Sequence, residues 1–333
     1  MESQKKILNN ESVYIQAIIK DEFYSKLVAT DAFQRLRHIS FLGAIDYTSG
    51  IYSDDEGVRA QRSRYSHSLG VAALALYISK ERKYSRELEK HLVTAALLHD
   101  VGHAPLSHSL ESKFSETFSL CHHENGKSLV NGKSKLGKPL NKILKDNVDP
   151  SEVNSLIGGA SSLDGEDLFS SPINIDTIDG IIRASNYHYS YPQLSTIDIA
   201  KASFLSNERG RFSLLDTFWQ RKGLIYSAFI QSGAGLAADI ISQNYFEDNK
   251  ELFASNDIES DEEKWAEKHP MLFLQLKNFN PLNYSKHIPH EVDIMERDYF
   301  INEQSMDPER FVCDKKLSKY SFEDYRERVV YAS

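Results

Sequence analysis

The chain has 333 residues, 41% of them hydrophobic, which is enough apolar material to bury a sizeable core. Its formal net charge of -9 excludes tight, sequence-independent duplex binding, which needs arrays of lysine and arginine; a nucleotide would have to be held by a local basic pocket. Cys121 and Cys313 lie outside any metal-ligand spacing, no apolar run is long enough for a membrane span, and MESQKKILNNESVY lacks a signal-peptide core, so the expectation is a soluble cytoplasmic protein without a disulfide framework.

Helical spacing of apolar residues through most of the first 250 positions predicts a mainly α-helical body. The stretch from Val13 to Leu27 reads as a short hairpin, and FQRLRHISFL as a helix from about Asp31 to Leu42, ended by Gly43. Gly43 to Ser63 reads as an exposed loop. A helix from about Tyr65 to Lys80 puts His67 on a stripe with Gly70, Val71, Leu74, Ala75 and Ile78. The next, Leu88 to Val101, is stopped by Gly102, leaving His99 and Asp100 at its C-terminal end. Clusters of Lys, Gly, Ser and Asp predict that residues 127 to 172 are partly loop, with a helix restarting near Asn174. Two helical blocks follow, about Asp216 to Asn249 and Asp261 to Leu276. Beyond Asn280, RDYFINEQ, ERFVCDKK and RERVVYAS alternate like strands. The expected organisation is a domain over residues 1–250 and a C-terminal helical and α/β lobe over residues 251–333, packed on the same core.

A lone His-Asp pair means little in a chain with twelve histidines. A histidine on an apolar stripe is more often a hydrogen-bonded core residue than a ligand. The balance reverses here because His99 is followed within a short window by His103, His108, His122 and His123, at positions after helix breaks. Asp176 and Asp179 open the segment NIDTIDGIIRAS, where acids would otherwise be read as compensating the helix dipole. Two imidazoles and two carboxylates form a mixed nitrogen and oxygen set suited to Mn²⁺, Fe²⁺, Ni²⁺ or Mg²⁺, with Zn²⁺ also compatible.

The blocks FQRLRHISFLG, RYSHSLGVA, LLHDVGHAPLSHSLE, HHENGKS and IDTIDGIIR resemble, in order and spacing, the deoxynucleoside triphosphate triphosphohydrolases of the HD superfamily. The resemblance implies an HD-domain helical core with His67, His99, Asp100 and Asp176 as ligands of a divalent metal. It also implies that Arg64 binds phosphate, that His103, His108 and His123 line the phosphate site, and that Glu111 orients His108. Tyr226, Phe41, Asp179 and Arg183 fall at positions expected to meet the substrate. Independently of the family, an imidazole paired with a carboxylate at helical spacing suits general-acid chemistry, and an arginine fork suits phosphate charge.

The departures from the family concern substrate. Phe41 stands where a glutamine is common, Gly180 replaces an aromatic residue beside the sugar, and Ala184 replaces an acid. Gln34 and Arg37 match an activator-nucleotide site, but Ala29 stands where its acidic partner would be. The leading expectation is hydrolysis of a nucleoside triphosphate, deoxynucleotides first, to nucleoside and tripolyphosphate by a homo-oligomer that spans no membrane. The alternatives are an HD phosphodiesterase or phosphatase acting on cyclic or oligonucleotide signals or nucleoside monophosphates, and a non-catalytic nucleotide-binding module.

Overall fold

The computed structural model describes residues 2–187, 192–231, 233–278, 292–306 and 308–320. The chain begins with α1 (Glu2–Lys20) and α2 (Glu22–Val28), where a hairpin was expected over Val13 to Leu27. The β-branched residues there imitate a strand, but Ile18, Phe23, Tyr24 and Leu27 are buried at helical spacing while Val13 and Ile19 face out. Asp21 separates the two helices by capping α2, accepting from the amides of Phe23 and Tyr24. The helix expected over Asp31 to Leu42 is shorter: α3 (Asp31–Gln34) tightens into a 3-10 turn over Arg35–His38. Its continuation is pulled out of the helix by backbone pairing, with Phe41 N–H donating to Arg62 and Arg64 N–H to Ile39. The segment expected to be loop contains a 3-10 turn, Gly43–Tyr47, and α4 (Glu56–Gln61).

Helices α5 (Arg64–Glu81) and α6 (Arg86–Leu98) form the centre. Ser63 and Ser85 cap their N-termini by accepting from Ser66 N–H and Leu88 N–H. Nearly all of α5 is buried, because α1 packs on one side and α6 on another. Leu98 closes α6, and the chain turns through Gly102 into a short loop in which Leu106 and Ser107 adopt φ of 60° and 48°. Such backbone is unfavourable for side-chain-bearing residues, and Glu262 holds the Leu106 N–H at 3.0 Å. Next come α7 (Glu111–Phe118) and α8 (His122–Val130). A Cβ at Gly102 would fall 2.0 Å from the His122 carbonyl oxygen and 2.3 Å from Gly126 N, so only glycine allows α8 to lie against the end of α6.

The region over residues 127 to 172, expected to be partly loop, alternates turns with short helices: α8 runs on to Val130, followed by α9 (Gly137–Lys145), α10 (Pro150–Ile157) and α11 (Asp167–Ser170). The polar residues set the turns between them, while Leu129, Leu140, Leu144, Val153 and Leu156 are fully buried. Asn174 caps α12 (Ile175–Ser185), and α13 (Thr196–Phe204) and α14 (Arg211–Ile225) follow. A π-turn at Tyr226–Ile230 leads to α15 (Gly233–Asp248). Among the described residues no single helix is long and apolar enough to cross a membrane.

Helices α16 (Glu262–Lys268) and α17 (Pro270–Lys277) and the antiparallel strands β1 (Val292–Ile301) and β2 (Phe311–Tyr320) complete the small C-terminal α/β part. RERVVYAS lies outside the described residues. The hairpin packs on α14, where Trp219 lies against Phe311 and donates its indole N–H to the Phe300 carbonyl at 2.9 Å. Helices α15 to α17 share a second apolar cluster with Phe114 of α7.

Candidate metal centre and histidine rim

The centre is assembled from three helices. His67 lies one turn into α5, His99 and Asp100 terminate α6, and Asp176 sits in the first turn of α12. His67 Nε2 is 3.2 Å from His99 Nε2, 3.1 Å from Asp176 Oδ1 and 3.6 Å from Asp100 Oδ2. His99 Nε2 is 3.5 Å from Asp100 Oδ1 and 3.7 Å from Asp176 Oδ1. His67, His99 and Asp100 therefore form a compact cluster that could hold a metal ion, and Asp176 stands beside its two imidazoles. Asp176 alone keeps a broadly open side chain, so an ion bound there would be reached from its side of the site.

The donor chemistry fits a cation. His67 Nδ1 faces Asp179 Oδ2 at 2.6 Å and His99 Nδ1 faces the Ala96 carbonyl at 2.8 Å. Both are acceptors only, so each Nδ1 carries its ring's proton and each Nε2 presents a lone pair. Two lone pairs 3.2 Å apart repel unless a proton or a metal ion lies between them. A proton can answer this: burial works against it, but Asp100 and Asp176 push the His99 imidazole up to about 9. His67 is likewise raised, against its own burial, by its bonds to Asp176 and Asp179. A resident cation would take the place of those protons.

Asp179 and Arg183, expected to meet substrate, stand behind His67. Arg183 bonds to Asp179 through Nε at 2.9 Å and donates to the carbonyls of Gln61 and Ser66. Burial raises the Asp179 carboxyl, but Arg183 and His67 outweigh it and hold the group ionised below its ordinary range. The pair thus fixes the His67 ring and ties it to the segment leading into α5. Gly70 makes this possible, since a Cβ there would lie 2.0 Å from Asp179 Oδ1.

Arg64 is buried, bonded to Asp100 through one nitrogen, to Ser107 Oγ through Nε at 2.7 Å and to the Phe41 carbonyl at 3.1 Å. Burial raises the Asp100 carboxyl, yet Arg64 holds it well below the usual carboxylate range. His103 Nε2 adds a contact at 3.2 Å. Arg64 therefore joins the centre to the histidine rim.

In the rim, the His103 and His122 rings stack at 4.1 Å, and His108 stands edge-on to His103 at 4.8 Å. Glu111 accepts from His108 Nδ1 at 2.9 Å and also bonds His122 through both its ring and its backbone N–H. Glu111 is thus bonded to His108, and it holds His122 as well. His123 lies against His122 at 3.9 Å. The exposed His108 side chain sits at the mouth, yet the surrounding protein lowers its imidazole below the ordinary value. Burial and Arg64 hold His103 well below it.

On the substrate side, Phe41 lies 4.7 Å from the His67 ring. Gly180 is directly alongside, where a Cβ would be 3.5 Å from the Phe41 ring and 3.8 Å from His67. Ala184 is fully buried, so its departure from the family does not alter an open wall. Tyr226 is held by Arg297, whose NH1 donates to its hydroxyl at 2.7 Å. Sequence reasoning missed Arg297 because it comes from a segment without a motif.

Residues 64–154 match the HD domain family model. The Mycoplasma pneumoniae MG461 homolog is 27% identical over 83% of this chain and 68% of its own length. The YwfO protein of Bacillus subtilis is 30% identical over 56% of this chain, which spans only 41% of that relative. A Dictyostelium discoideum homolog of the deoxynucleoside triphosphate triphosphohydrolase SAMHD1 is 36% identical, over 27% of this chain and 18% of its own. A phosphohydrolase from Bacteroides thetaiotaomicron shares the fold with a TM-score of 0.61, at 19% identity over 86% of this chain and 78% of that one.

Proposed function

We propose that the protein hydrolyses a nucleoside triphosphate, deoxynucleotides first, releasing nucleoside and tripolyphosphate. The observation that carries this reading is the adjacency of a metal-competent cluster, His67, His99 and Asp100 with Asp176 beside its imidazoles, to a rim of histidines that meets it where His103 contacts Asp100. A divalent ion, when bound, acidifies water and polarises a phosphoryl oxygen. Arg64 supplies fixed positive charge beside the scissile phosphate, and Asp100 and Ser107 keep its guanidinium in place. Water forms the new bond to the α-phosphorus as the bond to the sugar 5′-oxygen breaks. His108, with Nδ1 held by Glu111, gives the proton at Nε2 to the departing oxygen. Its low affinity for a proton in the free protein is offset by the polyanion that arrives beside it. His103, His122 and His123 bear on the same phosphates.

This reading takes the enzyme as a cytoplasmic homo-oligomer using Mn²⁺, Fe²⁺, Ni²⁺ or Mg²⁺. The test is incubation of metal-reconstituted protein with each nucleotide class, products being resolved by chromatography. Equimolar nucleoside and tripolyphosphate are expected; orthophosphate, pyrophosphate or cleaved oligonucleotide would reject the triphosphohydrolase assignment. One observation favours the second reading, a phosphodiesterase or phosphatase: beside His67 the sugar-side wall consists of Gly180 and the hydrocarbon ring of Phe41, which offer a sugar hydroxyl no hydrogen bond.

A further inference from the structure

Strands β1 and β2 lay one face against α14, and the register on that face sets Arg297 opposite Lys315, Tyr299 opposite Cys313, and Ile301 opposite Phe311. Arg297 and Lys315 are thus direct cross-strand partners of like charge, an arrangement that destabilises a sheet. Lys222 of α14 joins them, its Nζ 5.2 Å from the Tyr299 ring centre and 4.7 Å from that of Trp219. Strand and helix come close there because Gly223 has no side chain; a Cβ on it would already lie 3.5 Å from Tyr299 Cβ. Arg297 reaches the neighbouring aromatic, donating to the Tyr226 hydroxyl, and the Tyr226 and Tyr299 rings are 5.1 Å apart.

Three cations therefore gather around two tyrosines. Among the described residues none of the three forms an ion pair with a carboxylate, and Arg297 Nε is buried without a hydrogen-bond partner. Burial pushes the Lys222 ammonium down to about 8, with Arg297 and Lys315 adding to the effect and Asp176 opposing it. Helix α14, which carries Lys222, packs against α12, whose first turn holds Asp176 of the metal centre. Like charges gathered without a carboxylate partner are satisfied by a multiply charged oxyanion.

We propose that Lys222, Arg297 and Lys315 form a second anion subsite, taking a further phosphate group of the substrate molecule whose scissile phosphate lies at the metal centre. The phosphate charge of the substrate then extends beyond the scissile group, and the hairpin is part of the binding site. This inference rests on the proposed phosphohydrolase reading.

The probe is inorganic tripolyphosphate, titrated calorimetrically into the full chain, metal-loaded and chelator-treated, as the parent, Arg297→Gln and Lys315→Gln. Both variants are expected to bind it more weakly, Arg297→Gln by roughly tenfold, the size of one lost charge-assisted bond, and by a similar factor with and without metal. Affinity within twofold of the parent in both would overturn the subsite; should Arg297→Gln not fold, the exposed strand residue Lys315 decides alone. The source of the phosphate is read from inhibition: competition between tripolyphosphate and the nucleotide substrate is expected, whereas simultaneous binding would show a separate ligand and overturn the substrate assignment. If no nucleotide is turned over, the hydrolase reading fails while the metal-free titration still decides the subsite.

Discussion

His67 and His99 each have one ring nitrogen committed to a buried acceptor and the other turned to a common point, whereas His108 has one hydrogen-bond partner among the described residues, Glu111, and its side chain is open to solvent. The two halves of the site are thus held to different tolerances. Ligands must keep an ion in place before substrate arrives, so their orientation is set by bonds that substrate does not touch. A group that passes a proton has to meet a charge that appears only with substrate, and its proton affinity in the free protein lies on the low side until then. Arg64 is the contact common to both, bonded to Asp100 in the centre and to Ser107 at the base of the rim.

Removing a ligand breaks the first half outright. His99→Ala and Asp100→Ala are expected to abolish measurable turnover and to lose metal in elemental analysis, while far-UV circular dichroism stays close to the parent because the apolar faces of α5 and α6 are untouched. Near-normal turnover in either would move the metal elsewhere. His108→Ala breaks the second half alone: turnover should drop by about 10² to 10⁴, the usual worth of a general acid, with full metal content. Loss of metal to the extent seen in His67→Ala would make His108 a ligand.

Asp179→Asn sharpens the comparison, since it leaves every ligand in place but weakens the hold on His67. Metal affinity should fall by roughly 10- to 100-fold, read by competition with a chromophoric chelator; unchanged affinity would show that Asp179 does not orient the ligand. Sugar discrimination comes next: with Gly180 beside Phe41, matched ribo- and deoxynucleoside triphosphates are expected to differ by less than about a hundredfold in kcat/KM. A preference near a thousandfold would mean that another element rejects the hydroxyl.

The smallest effect concerns pH. Burial raises the Glu111 carboxyl, but His108 and His122 outweigh it and leave it lowered from 4.5. A depressed carboxylate contributes stability above its unfolded value and loses that contribution as pH falls through the folded one. The melting temperature of the parent should therefore fall more steeply below about pH 4.5 than that of Glu111→Gln, by a few degrees. Parallel curves would show that the bonds to the two histidines contribute nothing to folding.

The metal half was legible because its signals are local. His67 shares a helical stripe with Leu74 and Ile78, and Gly102 marks where α6 must end, so the positions of His99 and Asp100 follow from spacing. Val13 to Leu27 misled because its β-branched residues imitate a strand, and the choice was made by the packing of α1 against α5, visible in Tyr14 against Tyr77. Residues 127 to 172 looked partly like loop because short helices place turn residues close together. That Asp179 stands behind His67, and that Glu111 serves His122 as well as His108, depends on helices distant in sequence meeting side by side. Nothing local marks such a meeting.

Glu262 carries a lesson about modularity. Its buried carboxylate, from the first turn of α16, accepts from Ser40 and Tyr47 and from the backbone of Leu106, the left-handed residue at the foot of the rim. Arg35 reaches the same segment through the Ser260 carbonyl at 2.8 Å. A gene cut after residue 250 would encode every proposed metal ligand and every rim histidine, yet its product would strand these donors and release the loop that carries Ser107. The last quarter of the chain is in this respect a buttress, and a minimal version of the protein cannot be obtained by trimming it away.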